Sequence, residues 1–267
     1  MSAFALTLGV WAAQASLLEP SAAATASDAF VRVDEVGYAT GAAKRAYLMA
    51  RRSETGRTFV VRSASGEAVL EGLVGASLGS WSKHFPYVYA LDFDAVRAPG
   101  AYTVSVSGRT GSSSSASSPP FAIAPAAALY EAPLANALSF YENERDGPDF
   151  IRSALRTAPG HLNDRHARTY VTPKVDDNGA FKGDLHPLPA YTDAAGGWWD
   201  AGDYLKFVQT TSYTVSLMLL GIRDFPAEMG VTAGRSDFVG EARFGVQWLL
   251  RMWDDRTRTL YYQVGIG

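Results

Sequence analysis

The chain changes texture once, near Ala124, and that change limits what it can fold into. From Asp28 to Ala124 it is a series of short runs rich in Val and Tyr: FVRVDEVGY, RAYLMA, TFVVRS, AVLEGLV, YVYALDF and AYTVSVS, separated by Gly, Ser and Pro. Runs of this kind, bounded by turn formers, predict strands. TFVVRSASGEAVL predicts two strands around a Ser-Gly turn, and Pro99-Gly100 a further turn. Beyond that turn Tyr102, Val104 and Val106 alternate on one face. About seven short strands over residues 28–124 suit a β-sandwich of immunoglobulin type. The run GRTGSSSSASSPP reads as a long loop before a last strand, FAIA, in which Phe121 and Ile123 alternate.

Residues 125–267 read as helix. AAALYEAPLANALSFYENER places Leu134, Leu138 and Tyr141 at spacings of four and three, with Pro133 in the first turn. DYLKFVQTTSYTVSLMLLGIRDF predicts a long apolar helix. SDFVGEARFGVQWLLRMWDD predicts another, capped by Ser236 and striped by Phe244, Trp248 and Met252. Helices this apolar call for neighbours on both sides. The stretch 144–199 is too long for an ordinary connection, and such stretches often carry function. The chain therefore reads as a sandwich followed by the opening part of a larger helical domain.

Charge removes two function classes. Lys and Arg number 24 against 27 Asp and Glu, a net of −3, so no basic field exists for nucleic acid or an anionic membrane. The chain has no cysteine, which excludes a disulfide scaffold, a thiol nucleophile and a cysteine-ligated zinc. Residues 3–18 form an apolar run shorter than the roughly 20 residues of a membrane span. The small-residue stretch SAAATAS follows, so residues 1–27 read as a secretory leader or an extension, and the protein as exported. Oligomeric state leaves no mark on the sequence.

The sharpest constellation is GGWWDAGDYLKF, residues 196–207. Asp200 and Asp203, three apart at a helix entry, would share a face in the first turn. Free backbone N–H groups and the helix dipole keep carboxylates ionised there. An ionised pair beside Trp198, Trp199 and Tyr204 suits a general base holding a water against a sugar, with the aromatic rings stacking on the pyranose. The same residues equally suit helix capping, with Asp200 as the N-cap and the tryptophans in the core.

GGWWDAGDYLKFV resembles the DAGD signature of the family 9 glycoside hydrolases, the inverting cellulases. VRVDEVGY, AKRAYLM and PGAYTVSV resemble the immunoglobulin-like module that precedes the catalytic domain in many of them. ALSFYENERDG and FGVQWLLRMWD resemble catalytic-domain helices on either side of the motif. The resemblance runs in order over residues 30–267. It implies a module over 28–124 and, over 125–267, the first helices of an incomplete (α/α)6 toroid. It implies β-1,4-glucan, chiefly cellulose, as the polysaccharide partner. By this resemblance Asp203 is the general base and Asp200 helps hold the nucleophilic water. Trp198, Trp199 and Tyr204 beside them are the candidate sugar contacts. The family's general acid is a Glu near the far end of the catalytic domain, and no position here matches it. The fragment is therefore expected to be inactive on its own. A non-catalytic carbohydrate-binding or scaffold protein is the alternative, with Trp81 as a candidate platform.

Three further patterns carry weaker chemistry. His161, Asp164 and His166 in HLNDRH are possible metal ligands, though a polar loop braced by hydrogen bonds explains them too. Asp176-Asp177-Asn178-Gly179 reads as a turn, not an EF-hand loop. The resemblance implies calcium only through ligands beyond Gly267, so no cofactor is expected within this chain. Residues 75–79 match G-x-S-x-G around Ser77, but a strand follows where a nucleophile elbow needs a helix.

Overall fold

A computed structural model of the chain describes residues 28–107, 116–231 and 236–265. Residues 1–27 and most of the serine-rich run lie outside the described residues.

The first half folds as two facing sheets. Strands β1 (Ala29–Arg32), β3 (Arg45–Ala50) and β6 (Tyr87–Asp92) make an antiparallel sheet in the order β1-β3-β6. The second sheet takes β2 (Tyr38–Ala39), β4 (Thr58–Ser63), β5 (Ala68–Leu73), β7 (Gly100–Val106) and β9 (Phe121–Ala124) in the order β2-β9-β7-β4-β5, and β8 (Ala116–Ser117) pairs with β7. The β4–β5 hairpin turns at Gly66, and Ser63 N–H donates to Glu67 O at 2.9 Å. Alternation places Tyr102, Val104, Val106, Phe121 and Ile123 in the core with Leu48, Val61, Tyr89 and Leu91, as the sequence predicts. Tyr38 ties the two sheets together. Its ring meets Phe93 and Phe121 edge-on, and its hydroxyl donates to Arg45 O at 2.8 Å. Ser77 lies between β5 and β6, its hydroxyl turned onto the backbone of Gly79 and Val88, and no helix follows it.

One residue, Pro125, separates β9 from helix α1 (Ala126–Glu144). The helix starts earlier than the sequence predicts, so Pro133 sits inside it instead of in its first turn. Leu138 reaches the core, with Leu134 and Tyr141 packed against it. The sandwich presses directly on α1. Gly37, at φ 108°, leaves no room for a side chain: a Cβ there would stand 2.6 Å from Ala122 O and 2.8 Å from Leu129 Cδ1.

A 3-10 turn (Leu162–His166) leads into an antiparallel arm. It is built from β10 (Ala167–Tyr170) paired with β13 (Pro187–Thr192), and from β11 (Lys174–Val175) paired with β12 (Phe181–Lys182). The turn at Asp176–Gly179 joins β11 to β12, as its sequence predicts. Next come β14 (Lys206–Phe207), α2 (Val208–Asp224) and α3 (Phe238–Arg251). The short strands β15 (Trp253–Asp254), β16 (Thr259–Leu260) and β17 (Gln263–Val264) follow. Asp237, not the predicted Ser236, caps α3, accepting from Gly240 N–H at 2.7 Å. Phe244, Trp248 and Met252 are buried along α3 as predicted. By contrast Tyr213, Leu217 and Leu220 of α2 share an exposed face, and Leu219 is exposed to one side of it, leaving that part of the helix apolar and bare.

Close packing of α3 depends on Gly245. A Cβ there would lie 2.6 Å from both Trp198 Cζ3 and Val215 Cγ2. Gly245→Ala should therefore cost about 1–3 kcal/mol by overpacking, despite the roughly 1 kcal/mol that alanine gains as a helix former. Chemical denaturation followed by far-UV circular dichroism checks this; unchanged or increased stability would contradict the packing described.

Candidate active site

The motif at residues 196–207 does not lie in a helix. Helix α2 begins at Val208, so Asp200 and Asp203 precede it on an irregular loop, which corrects the first-turn placement. The reason is local. Asp200 N–H donates to Leu205 O at 2.7 Å and Tyr204 N–H to Ala201 O at 3.0 Å, closing a tight turn. Tyr204 takes a left-handed backbone at φ 61°. Lys206 and Phe207 then pair with Val264 and Gln263, so the chain is a strand before it becomes a helix. Both carboxylates face solvent, and Asp203 Oδ1 accepts from Leu205 N–H at 3.3 Å.

The two tryptophans go opposite ways, as adjacent side chains of an extended segment do. Trp198 is 4% exposed and packs between Tyr141 and Phe244. Its indole N–H donates to Glu241 Oε1 at 2.7 Å. The Glu241 carboxylate also accepts from Arg145 at 2.7 Å and lies 2.9 Å from the Ser236 hydroxyl. Trp198 is thus a core residue with a satisfied polar tip and offers no face to a sugar, which corrects its assignment as a contact. Trp199 is half-buried. The Arg156 guanidinium lies 4.0 Å from the Trp199 ring, and Tyr204 and His161 meet it edge-on at 4.8 and 5.5 Å. Among the exposed rings, Tyr204 is 51% accessible.

Beneath the loop is a buried ion cluster that the motif reading missed. Lys206 is fully buried. Its ammonium donates to Asp146 Oδ2 (2.5 Å), Asp164 Oδ2 (2.9 Å), Ala194 O (2.7 Å) and Gly196 O (3.0 Å). Burial pushes the Asp146 carboxyl upward, and the adjacent ammonium opposes it. Arg156, bonded to the carbonyls of Asn143 and Ala158, is held below its ordinary value by burial. Burial also raises the Glu144 carboxyl, against the pull of Arg156. The signal for Lys206 was present in the sequence: a lysine between Leu205 and Phe207 in an apolar run must find buried partners.

The same cluster decides the metal question for HLNDRH. His161 and Asp164 converge with Asp146, their potential ligand atoms within 4.8 Å of one another. His166 does not join them; its ring stacks on Tyr191 at 4.1 Å. These residues do not fit a metal, because the Lys206 ammonium already sits against both carboxylates and would repel a cation.

Removing that ammonium should be costly. Lys206→Met leaves Asp146 and Asp164 without their cation, and about 3–5 kcal/mol of stability should be lost. Urea denaturation of the variant against the parent measures this. A loss below about 1 kcal/mol would mean that the ion cluster does not hold the site together.

Comparison with known proteins follows the same division of the chain. Residues 130–267 match the profile of Glycosyl hydrolase family 9, and residues 26–111 that of the cellulase N-terminal ig-like domain. A xyloglucan-specific endo-beta-1,4-glucanase of Bacteroides ovatus is 27% identical over 96% of this chain and 42% of its own length. Endoglucanase D of Acetivibrio thermocellus is 26% identical over 84% of this chain and 33% of its own. The crystal structure of a metagenome-derived glycoside hydrolase family 9 endoglucanase superposes with a TM-score of 0.60 at 28% identity, over 88% of this chain and 42% of that one. The chain thus spans less than half the length of these relatives.

Proposed function

The chain belongs to glycosyl hydrolase family 9, and on that premise we propose that the complete protein is an exported, inverting β-1,4-glucanase acting on cellulose or related β-glucans. The observation that carries this reading is the pair of solvent-facing carboxylates, Asp200 and Asp203, on a loop anchored from below by Lys206. Catalysis of this kind needs ionisable groups open to substrate on a support that does not move.

In the proposed reaction Asp203 accepts a proton from a water that Asp200 helps to hold. The water attacks the anomeric carbon from the face opposite the leaving oxygen. A carboxylic acid across the cleft protonates that oxygen, about 6.5–9.5 Å from the base, which leaves space for the water. We place this general acid, a Glu, in a part of the catalytic domain outside residues 1–267; the partial coverage of the relatives leaves room for it. The same assignment makes α1, α2 and α3 the opening helices of an (α/α)6 toroid. Further helices would cover the bare leucine face of α2. Residues 1–267 alone would then lack general-acid assistance, about 10²–10⁴-fold in rate. Tyr204 and Trp199 remain on the solvent side of the loop as ring contacts or their supports. Among the described residues no helix is long and apolar enough to cross a membrane.

The test is Asp203→Asn in the complete protein. Hydrolysis of a soluble β-1,4-glucan should fall by at least about 10²-fold with the fold intact. Proton NMR of the first product formed by the parent enzyme should show the α-anomer. Retained hydrolysis in the variant, or a β-anomer first, would overturn the assignment. A protein that binds glucan oligosaccharides and never cleaves them would favour a carbohydrate-binding or scaffold role.

A further inference from the structure

Among the described residues other than glycine, the backbone is left-handed at His161, Tyr204 and Arg258. Arg258 lies in the turn between β15 and β16, where such a conformation is ordinary. The other two come from segments 43 positions apart in the sequence, yet their rings touch, with centroids 5.7 Å apart and planes at 86°. Both also sit at turns, Tyr204 closing the one from Ala201 and His161 opening the 3-10 turn, but unlike Arg258 they meet each other; left-handed backbone that its surroundings fix concentrates at functional sites.

The surroundings here do fix it. The Trp199 ring stands against both rings, and the Arg156 guanidinium lies against Trp199 in turn. Arg156 is anchored to the carbonyls of Asn143 and Ala158 at 2.7 and 3.0 Å. Gly160 admits this packing, since a Cβ there would lie 2.8 Å from Trp199 Cη2. A ring nitrogen of the imidazole also lies within 4.8 Å of carboxylate oxygens of Asp146 and Asp164, the residues that hold Lys206. Despite this support, both His161 and Tyr204 are exposed. Two rings are therefore braced from beneath, left open above, and joined to the Asp200–Asp203 loop through Tyr204.

We propose that His161 and Tyr204 form an aromatic corner that receives the C–H face of a glucosyl unit beside the Asp203 carboxylate, with Trp199 and Arg156 as its supports. This rests on the glucanase reading above and adds His161 to the substrate-contacting residues. A pyranose presents axial C–H groups on its faces, and an exposed ring pair at a right angle offers it one stacking face and one edge. His161 contributes as a ring here, without taking part in proton transfer.

The experiment is calorimetric titration of cellohexaose into the complete protein carrying Asp203→Asn. His161→Asn removes the ring and keeps a residue that tolerates left-handed backbone. It should weaken binding by roughly threefold to tenfold, the range of a single aromatic contact. His161→Tyr restores a ring and should bind within about twofold of its parent. Trp81→Ala, which removes an exposed ring on the sandwich, should leave affinity unchanged. Parental affinity in His161→Asn, or equal weakening in His161→Tyr, would overturn the corner and leave the glucanase reading standing. No binding by the Asp203→Asn parent would instead overturn that reading, and the corner with it.

Discussion

A lysine ammonium with no access to water must be surrounded by acceptors, and in this chain that requirement organises the site. Lys206 draws together Asp146 at the end of α1, Asp164 in the 3-10 turn, and the carbonyls of Ala194 and Gly196. Its partners lie 60, 42, 12 and 10 residues away in sequence. A single buried charge thereby fixes where three separate segments meet. Burying an ion is expensive, and only several well-placed partners offset it. The arrangement is therefore sensitive to the loss of any one of them. The loop bearing Asp200 and Asp203 is the visible part of this assembly.

A second buried network holds Trp198, just ahead of that loop. Trp198 donates to Glu241, which also accepts from Arg145, while Glu142 accepts the Ser236 N–H. α1 and α3 are thus linked through carboxylates whose acceptor capacity is used. Between the two networks the chain has little freedom, and Gly197, at φ 77°, passes against the Trp248 ring. The sandwich adds rigidity from the opposite end. Its last strand feeds α1 through one proline, and Gly37 brings it against Leu129. In this architecture the sandwich acts as a brace for α1. Surface pairs such as Arg45 with Asp92 contribute little by comparison.

Much of the fold was legible in the sequence because it follows simple periods. Tyr102, Val104 and Val106 alternate and are buried; Phe244, Trp248 and Met252 recur every four residues and are buried. The errors arise where one residue overrides a period. The apolar pattern of DYLKFV continues smoothly into α2, so nothing in it marks the turn at Tyr204 or the strand at Lys206. Pro133 is a helix-start signal by rule, yet α1 carries it internally. Ser236 and Asp237 are both good caps, and only the structure distinguishes them. In the site, the pair Trp198-Trp199 could not be divided into core and surface by spacing. The partners of Lys206 were beyond any local pattern, because nothing along the sequence announces contacts across 42 or 60 residues.

The most direct test of the account is a crystal structure of the complete protein, with Asp203 changed to Asn, bound to cellohexaose. A glucosyl unit should lie against His161 and Tyr204. One water should separate the anomeric carbon from residue 203, with Lys206 still seated on Asp146 and Asp164. An oligosaccharide bound away from this loop, on the sandwich or on the β10–β13 arm, would contradict it.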